Sequence, residues 1–153
     1  MTIREWLAGA IFAGAAPALP GAHAMTRPAL PCDVVREFWR LMATNDFASV
    51  AAVLAPDFAL EWPQSQERIR GAERFARMNS EYPAHGGWRF TVHRVVGNDA
   101  EAVSDVAVTD GTQHGRAISF FTVAHGLITR IVEFWPEPFA APANRAHLVE
   151  RIE

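Results

Sequence analysis

The chain has 153 residues, half of them hydrophobic, and a formal net charge of −3. That length suits a single domain with enough apolar side chains for a core. The slight acidity offers no general attraction to nucleic acid or to an anionic membrane, so neither is an expected partner.

None of the fourteen basic residues is a Lys; with the abundance of Ala, Gly and Pro this reflects a GC-rich coding sequence and carries no mechanism. Cys32 is the single cysteine. It has no internal disulfide partner and reads as an inert thiol.

Residues 7–19 are a small-residue apolar run after Arg4, and Ala22-His23-Ala24 has the form of an export-cleavage site. The run is too short, and too rich in Gly and Pro, to span a membrane. Met25 competes as a start. Residues 1–30 are therefore set apart as an extension (a mis-called start, disordered, or signal-like), and residues 31–153 as the domain. The expected location is cytoplasmic, or exported if residues 1–24 are a signal peptide.

Asp33 is a candidate N-cap for a helix over residues 34–44, with Val34, Val35, Phe38, Leu41 and Met42 on its apolar face. Asp46 can cap a second helix with Phe47, Val50, Val53 and Leu54 as its stripe, stopped by Pro56. Residues 58–62 alternate as a short strand, with Phe58, Leu60 and Trp62 sharing a face and Glu61 pointing away. Residues 64–70 read as a loop or short arm. Gly71 opens a third helix over residues 72–81, with Phe75, Met78 and Tyr82 inward. Arg70, Arg74 and Arg77, interleaved with Glu67, Glu73 and Glu81, read as its solvated charged face.

From Trp88 the pattern changes to strands over residues 88–96, 102–109, 115–124 and 127–135. They are separated by turn signals at Gly97-Asn98-Asp99, Asp110-Gly111 and His125-Gly126. This predicts an antiparallel meander. The proline-containing tail ends in an amphipathic stretch, 145–152, expected to wrap the surface. Three helices before four long strands give an α+β domain in which the helices cover one face of a strongly curved antiparallel sheet incompletely. The uncovered concavity is a natural ligand site.

Three segments in this order, Asp57-Phe58-Ala59-Leu60-Glu61-Trp62-Pro63, Ile69-Arg70-Gly71, and Gly126-Leu127-Ile128-Thr129-Arg130-Ile131-Val132-Glu133-Phe134-Trp135, resemble the SnoaL-like branch of the nuclear-transport-factor-two-like superfamily over about residues 33–140. The resemblance implies a cone-shaped, cystatin-like fold and a homodimer formed through the outer sheet face. It does not imply one function, because the superfamily holds cyclases, isomerases, dehydratases, epoxide hydrolases and non-catalytic modules.

Glu133 stands out because an acid sits among Ile131, Val132, Phe134 and Trp135, where a half-buried strand should alternate. Burial raises the pKa of such a group. Within the resemblance, Glu133 matches the last-strand acid and Asp105 the central-strand acid. Two carboxylates in one cavity would divide the roles of acid and base. Alternation leaves Asp105 open, since Ser104, Val106 and Val108 make an equally good inner face. The candidate catalytic residues are thus Glu133 and Asp105, with His93 able to assist.

Trp62, Gln64, Trp88, Phe90, His93, Phe120 and Trp135 are candidate ligand-binding residues. The six His residues show no metal-binding spacing, so no metal and no cofactor is expected. An epoxide-hydrolase-like site would want Arg two residues before the central acid, where Val103 stands. An isomerase-like site would want a deep Tyr, and the only one is Tyr82. Two readings follow: a cofactor-independent cyclase, isomerase or hydratase acting on a small apolar or polyketide-like molecule, or a non-catalytic ligand-binding or dimerisation module.

Overall fold

A computed structural model describes residues 29–152; the signal-like and alternative-start readings fall on residues outside that range. Helix α1 (Pro31–Met42) has a proline in its first turn, where a fixed φ and a missing N–H cost nothing. It therefore begins earlier than expected. Leu30 takes the capping position without a side-chain bond, and Asp33 falls in the first turn, paired with Arg36 at 3.0 Å. The expected apolar face is buried and Trp39 joins it.

Residues Phe47–Val53 form a 3-10 helix, and Asp46 does not cap it through its side chain. Leu54 already belongs to strand β1 (Leu54–Trp62), so Pro56 lies in a strand instead of ending a helix. The pairing of β1 with β6 is interrupted between Leu54 and Ala59, and proline is tolerated at such a break. The stretch read as a loop or arm ends in strand β2 (Glu67–Arg70), which pairs antiparallel with β1. Its one apolar residue, Ile69, gives no alternation to detect. Helix α2 (Ala72–Glu81) buries Phe75 alone.

Strands β3 (Arg89–Gly97), β4 (Glu101–Thr109), β5 (His114–Ala124) and β6 (Leu127–Phe134) form the expected antiparallel meander. The sheet order is β2-β1-β6-β5-β4-β3, and the β1–β6 pair is parallel. The result is a curved, unclosed six-stranded sheet with α1 packed over β3, β4 and β5, an α+β cone as expected.

Two bulges set which side chains face the cone. In β6 the pairing passes from Val123–Ile128 to Thr122–Arg130, leaving Thr129 as an extra residue. A one-residue insertion exchanges inward and outward positions for the rest of a strand. Ile128 is buried before it, and Ile131 and Glu133 are buried after it. Uninterrupted alternation from Ile128 would have turned Glu133 outward. In β3, His93 is the extra residue between the Val92–Val106 and Arg94–Asp105 pairs.

Phe38 anchors the core, with ring centroids 5.1 Å from Trp39, 5.9 Å from Phe75 and 5.4 Å from Phe121. At the turn after β4, buried Asp110 accepts hydrogen bonds from the backbone N–H groups of His85, Thr112 and Gln113 and from the Gln113 side-chain amide. Those donors, His85 first, hold its carboxyl well below the usual carboxylate range. The contact fixes the segment before β3 against the β4–β5 turn. The tail behaves otherwise than expected: its 3-10 turn, Ala143–Leu148, buries no residue, and Leu148 and Ile152 are exposed. It does not wrap the domain. Among the described residues, no helix is long and apolar enough to cross a membrane.

Because Phe38 joins α1 to both α2 and β5, Phe38→Ala is expected to destabilise the fold by about 3–5 kcal/mol in urea denaturation.

Candidate functional site

The concave sheet face, α1 and α2 enclose a cavity of about 1040 Å³. Phe38, Trp39 and Met42 of α1 form its roof, and Leu60, Trp62, Ile131 and Glu133 its floor. Trp88, Phe90 and Trp135 stand at its sides.

Glu133 is only 7% exposed. Its Oε1 accepts the indole N–H of Trp62 and that of Trp135, each at 3.0 Å, and its Oε2 accepts the Ser119 hydroxyl at 2.7 Å. Burial pushes the Glu133 carboxyl above its ordinary value, and the three donors, Trp62, Ser119 and Trp135, oppose that shift. The two oxygens differ chemically. An indole N–H can only donate, so Oε1 remains an acceptor; a hydroxyl can reverse its role. A proton taken up by Glu133 therefore belongs on Oε2, with Ser119 turning to accept it. A carboxylate has about four acceptor directions, and three are in use.

A polar line continues across the sheet. Ser119 is paired in register with Ser104 on β4 and with Glu133 on β6, and buried Ser104 accepts the Trp39 indole N–H at 3.0 Å. Three indoles are thus held by two polar residues, Glu133 and Ser104, on the strands either side of Ser119. Gly115 makes room for one of them: a Cβ there would lie 3.2 Å from the Trp135 ring.

Three expectations are corrected. Asp105 faces outward, bound by the Arg116 guanidinium at 2.7 and 2.6 Å, which holds its carboxyl below the ordinary range. It does not converge with Glu133, because buried Ser104 and Val106 occupy the inner positions beside it. His93 is spent in the β3 bulge, exposed and away from the cavity lining. Phe120 is 47% exposed on the outer face against Phe134, since its neighbours Ser119 and Phe121 point inward.

Trp62, Gln64, Trp88, Phe90 and Trp135 do line the cavity. Gln64 is otherwise employed than expected, since its amide accepts from the Trp135 backbone N–H at 2.7 Å and donates to the Trp135 carbonyl at 3.4 Å. It clamps the end of β6 and keeps little capacity for a ligand. Ser119, Trp39 and Gly115 were not foreseen. Counting back from the His125-Gly126 turn would set Ser119 opposite Val132; only the bulge brings it to Glu133. Tyr82 also reaches the lining, at the exposed rim. Among the described residues, no group of three or more His, Cys, Asp or Glu side chains is placed to hold a metal ion.

An open curved sheet with helices over its concave face and a cavity between them defines the nuclear-transport-factor-two-like class of domains. The chain belongs to the family of SnoaL-like domains, which matches residues 35–131. It is similar to a Kribbella flavida protein described as a "putative ketosteroid isomerase", at 36% identity over 78% of this chain and 87% of that one, with a TM-score of 0.72. An NTF-2 like protein of unknown function from Burkholderia xenovorans is 22% identical over 78% of this chain and 93% of its own, with a TM-score of 0.65. An LEH-like epoxide hydrolase of M. tuberculosis is 24% identical over 67% and 80%, with a TM-score of 0.55. The last two share the fold. No curated protein matches the chain.

The raised pKa of Glu133 fixes a pH dependence. Folding favours its neutral form, so this contribution is complete below the ordinary carboxylate value and is lost as pH rises through the raised value. Asp110 acts oppositely: its depressed pKa gives stability above the ordinary value that is lost on acidification. Urea midpoints measured from about pH 4 to pH 8 should fall with rising pH in the native chain more than in Glu133→Gln. Trp62→Phe, which removes a donor to Oε1, should raise the Glu133 pKa further in a carboxyl-carbon NMR titration.

Proposed function

We propose that the domain, residues 31–153, binds a small, largely apolar molecule in the cone and moves a proton on it without a cofactor, with Glu133 as the single acid–base group. The observation that carries this reading is a buried carboxylate, its pKa raised by burial, on the floor of an aromatic-walled cavity. Such a group takes up and releases a proton nearer neutrality than an exposed carboxylate does. The likeness to a protein described as a "putative ketosteroid isomerase" supports proton transfer beside a carbonyl as the reaction type. With Asp105 outside, the two-carboxylate version has no support; the proton would leave and return through the free acceptor direction of Oε2. The expected outcome is that the native protein incorporates solvent deuterium α to the carbonyl of at least one member of a cyclic-ketone panel. Glu133→Gln should lower that rate by about 10²–10⁴-fold, read by proton NMR.

One observation favours the second reading, a ligand-binding module without catalysis: both acceptor directions of Oε1 are taken by indoles, and no second acid or base converges on Glu133. Ketones that shift the melting temperature without exchanging deuterium would select it.

A homodimer through the outer face is part of the proposal. Phe120 and Val96, 47% and 52% exposed there, beside half-buried Phe134, support it. Phe120→Glu should convert the dimer to monomer in light scattering, and a native chain that is already monomeric at high concentration would count against it. A cytoplasmic location suits the free thiol of Cys32, with export the alternative.

A further inference from the structure

We propose that the ligand taken by this cavity is a hydrophobic organic cation, an alkylated ammonium, in preference to a neutral or anionic molecule of the same shape. The inference rests on the reading that the cone binds a small molecule, and it names the class.

The first observation is the company Glu133 keeps. All of its partners are neutral: two indoles and one hydroxyl. A buried carboxylate without a cation is costly, and natural structures normally pair it. No Arg or His supplies the missing charge among the described residues, while Glu61 and Asp105 do have Arg partners.

The second observation is the charge of the lining as a whole. Glu67, Glu133 and Glu137 contribute to it beside one imidazole, His114, and Arg116, whose guanidinium is bound to outward-facing Asp105 through two hydrogen bonds. Neither Glu67 nor Glu137 enters an ion pair among the described residues. An anion entering the cavity would face unneutralised carboxylates at the mouth and on the floor. A cation would be drawn in at the rim and matched on the floor.

The third observation is the wall. Trp39, Trp62, Trp88 and Trp135 all line the cavity. Trp62 and Trp135 direct their N–H edges at Glu133, so these hydrogen bonds use ring edges and not the electron-rich ring faces. Those faces attract a cation, most strongly one whose charge is spread over alkyl groups and is weakly hydrated. A neutral ligand would be content with the walls but would leave Glu133 without a counter-charge. An alkylated ammonium uses both.

The test compares benzyltrimethylammonium with neopentylbenzene, its neutral carbon isostere, by quenching of the cavity tryptophans in the full-length protein. The cation should bind at least about tenfold more tightly, and Glu133→Gln should close most of that gap while leaving the neutral compound unaffected. Should Glu133→Gln fail to fold, the double variant Glu67→Gln with Glu137→Gln should weaken the cation alone, by about threefold. Equal affinity of the two compounds, or preference for the neutral one, overturns the cationic class and leaves the cavity reading standing. Failure of both to bind overturns the cavity reading as well. A preference that survives in both variants also overturns the inference, since the carboxylates would not be its source.

Discussion

A carboxylate placed on the concave face of the sheet has to be supplied with donors, and the surroundings of Glu133 are organised around that need. Its three donors come from different places in the chain: Trp62 at the end of β1, Ser119 in the middle of β5, and Trp135 just past β6. Each bond holds an aromatic wall or a strand in position, so the acid works as a locating pin for the floor of the cavity. Gln64 and Gly115 complete the arrangement, the first by binding the backbone of Trp135 and the second by yielding space to its ring. A buried charge of this kind is weak evidence of added stability. Its value lies in fixing where indoles and a proton-carrying oxygen sit.

The floor of the cavity has a single acid because of strand phase. The bulge at Thr129 turns Glu133 inward, while β4 runs without interruption and keeps Asp105 outward, where Arg116 neutralises it. This chain sets one carboxylate inside and one outside. Chemistry on the floor of the cone therefore has one buried proton-carrying group, Glu133, with neutral donors around it. The same geometry connects the proposed proton transfer with the proposed ligand class.

Much of the architecture was legible because it is written in local periodicity. The apolar faces of α1 and α2, the alternation of 58–62 and the turn signals after residues 97, 110 and 125 each report a structure formed by neighbours in sequence. At the start of α1 the reading slipped locally: Pro31 at the first helical position leaves the cap to Leu30 and Asp33 inside the first turn. Elsewhere the deciding partner was distant: Pro56 was accommodated by a break in pairing with β6, and β2 exists because β1 offers it an edge. The tail has amphipathic spacing but finds no surface to cover.

The site was legible in part and for the same reason. By itself the sequence determined that Glu133 is anomalous, that Trp62, Trp88, Phe90 and Trp135 are candidates for one cavity, and that the chain builds a helix-covered curved sheet. Those statements need only residue type and spacing, apart from the place of Trp62 beside the cavity, which the SnoaL-like resemblance implies. Which side of the sheet each acid faces, that Ser119 meets Glu133, and that three indoles point at one polar line were decided by the tertiary structure alone. The physical reason is register: a single extra residue such as Thr129 reverses every side chain beyond it, and whether a strand bulges depends on the strands it pairs with.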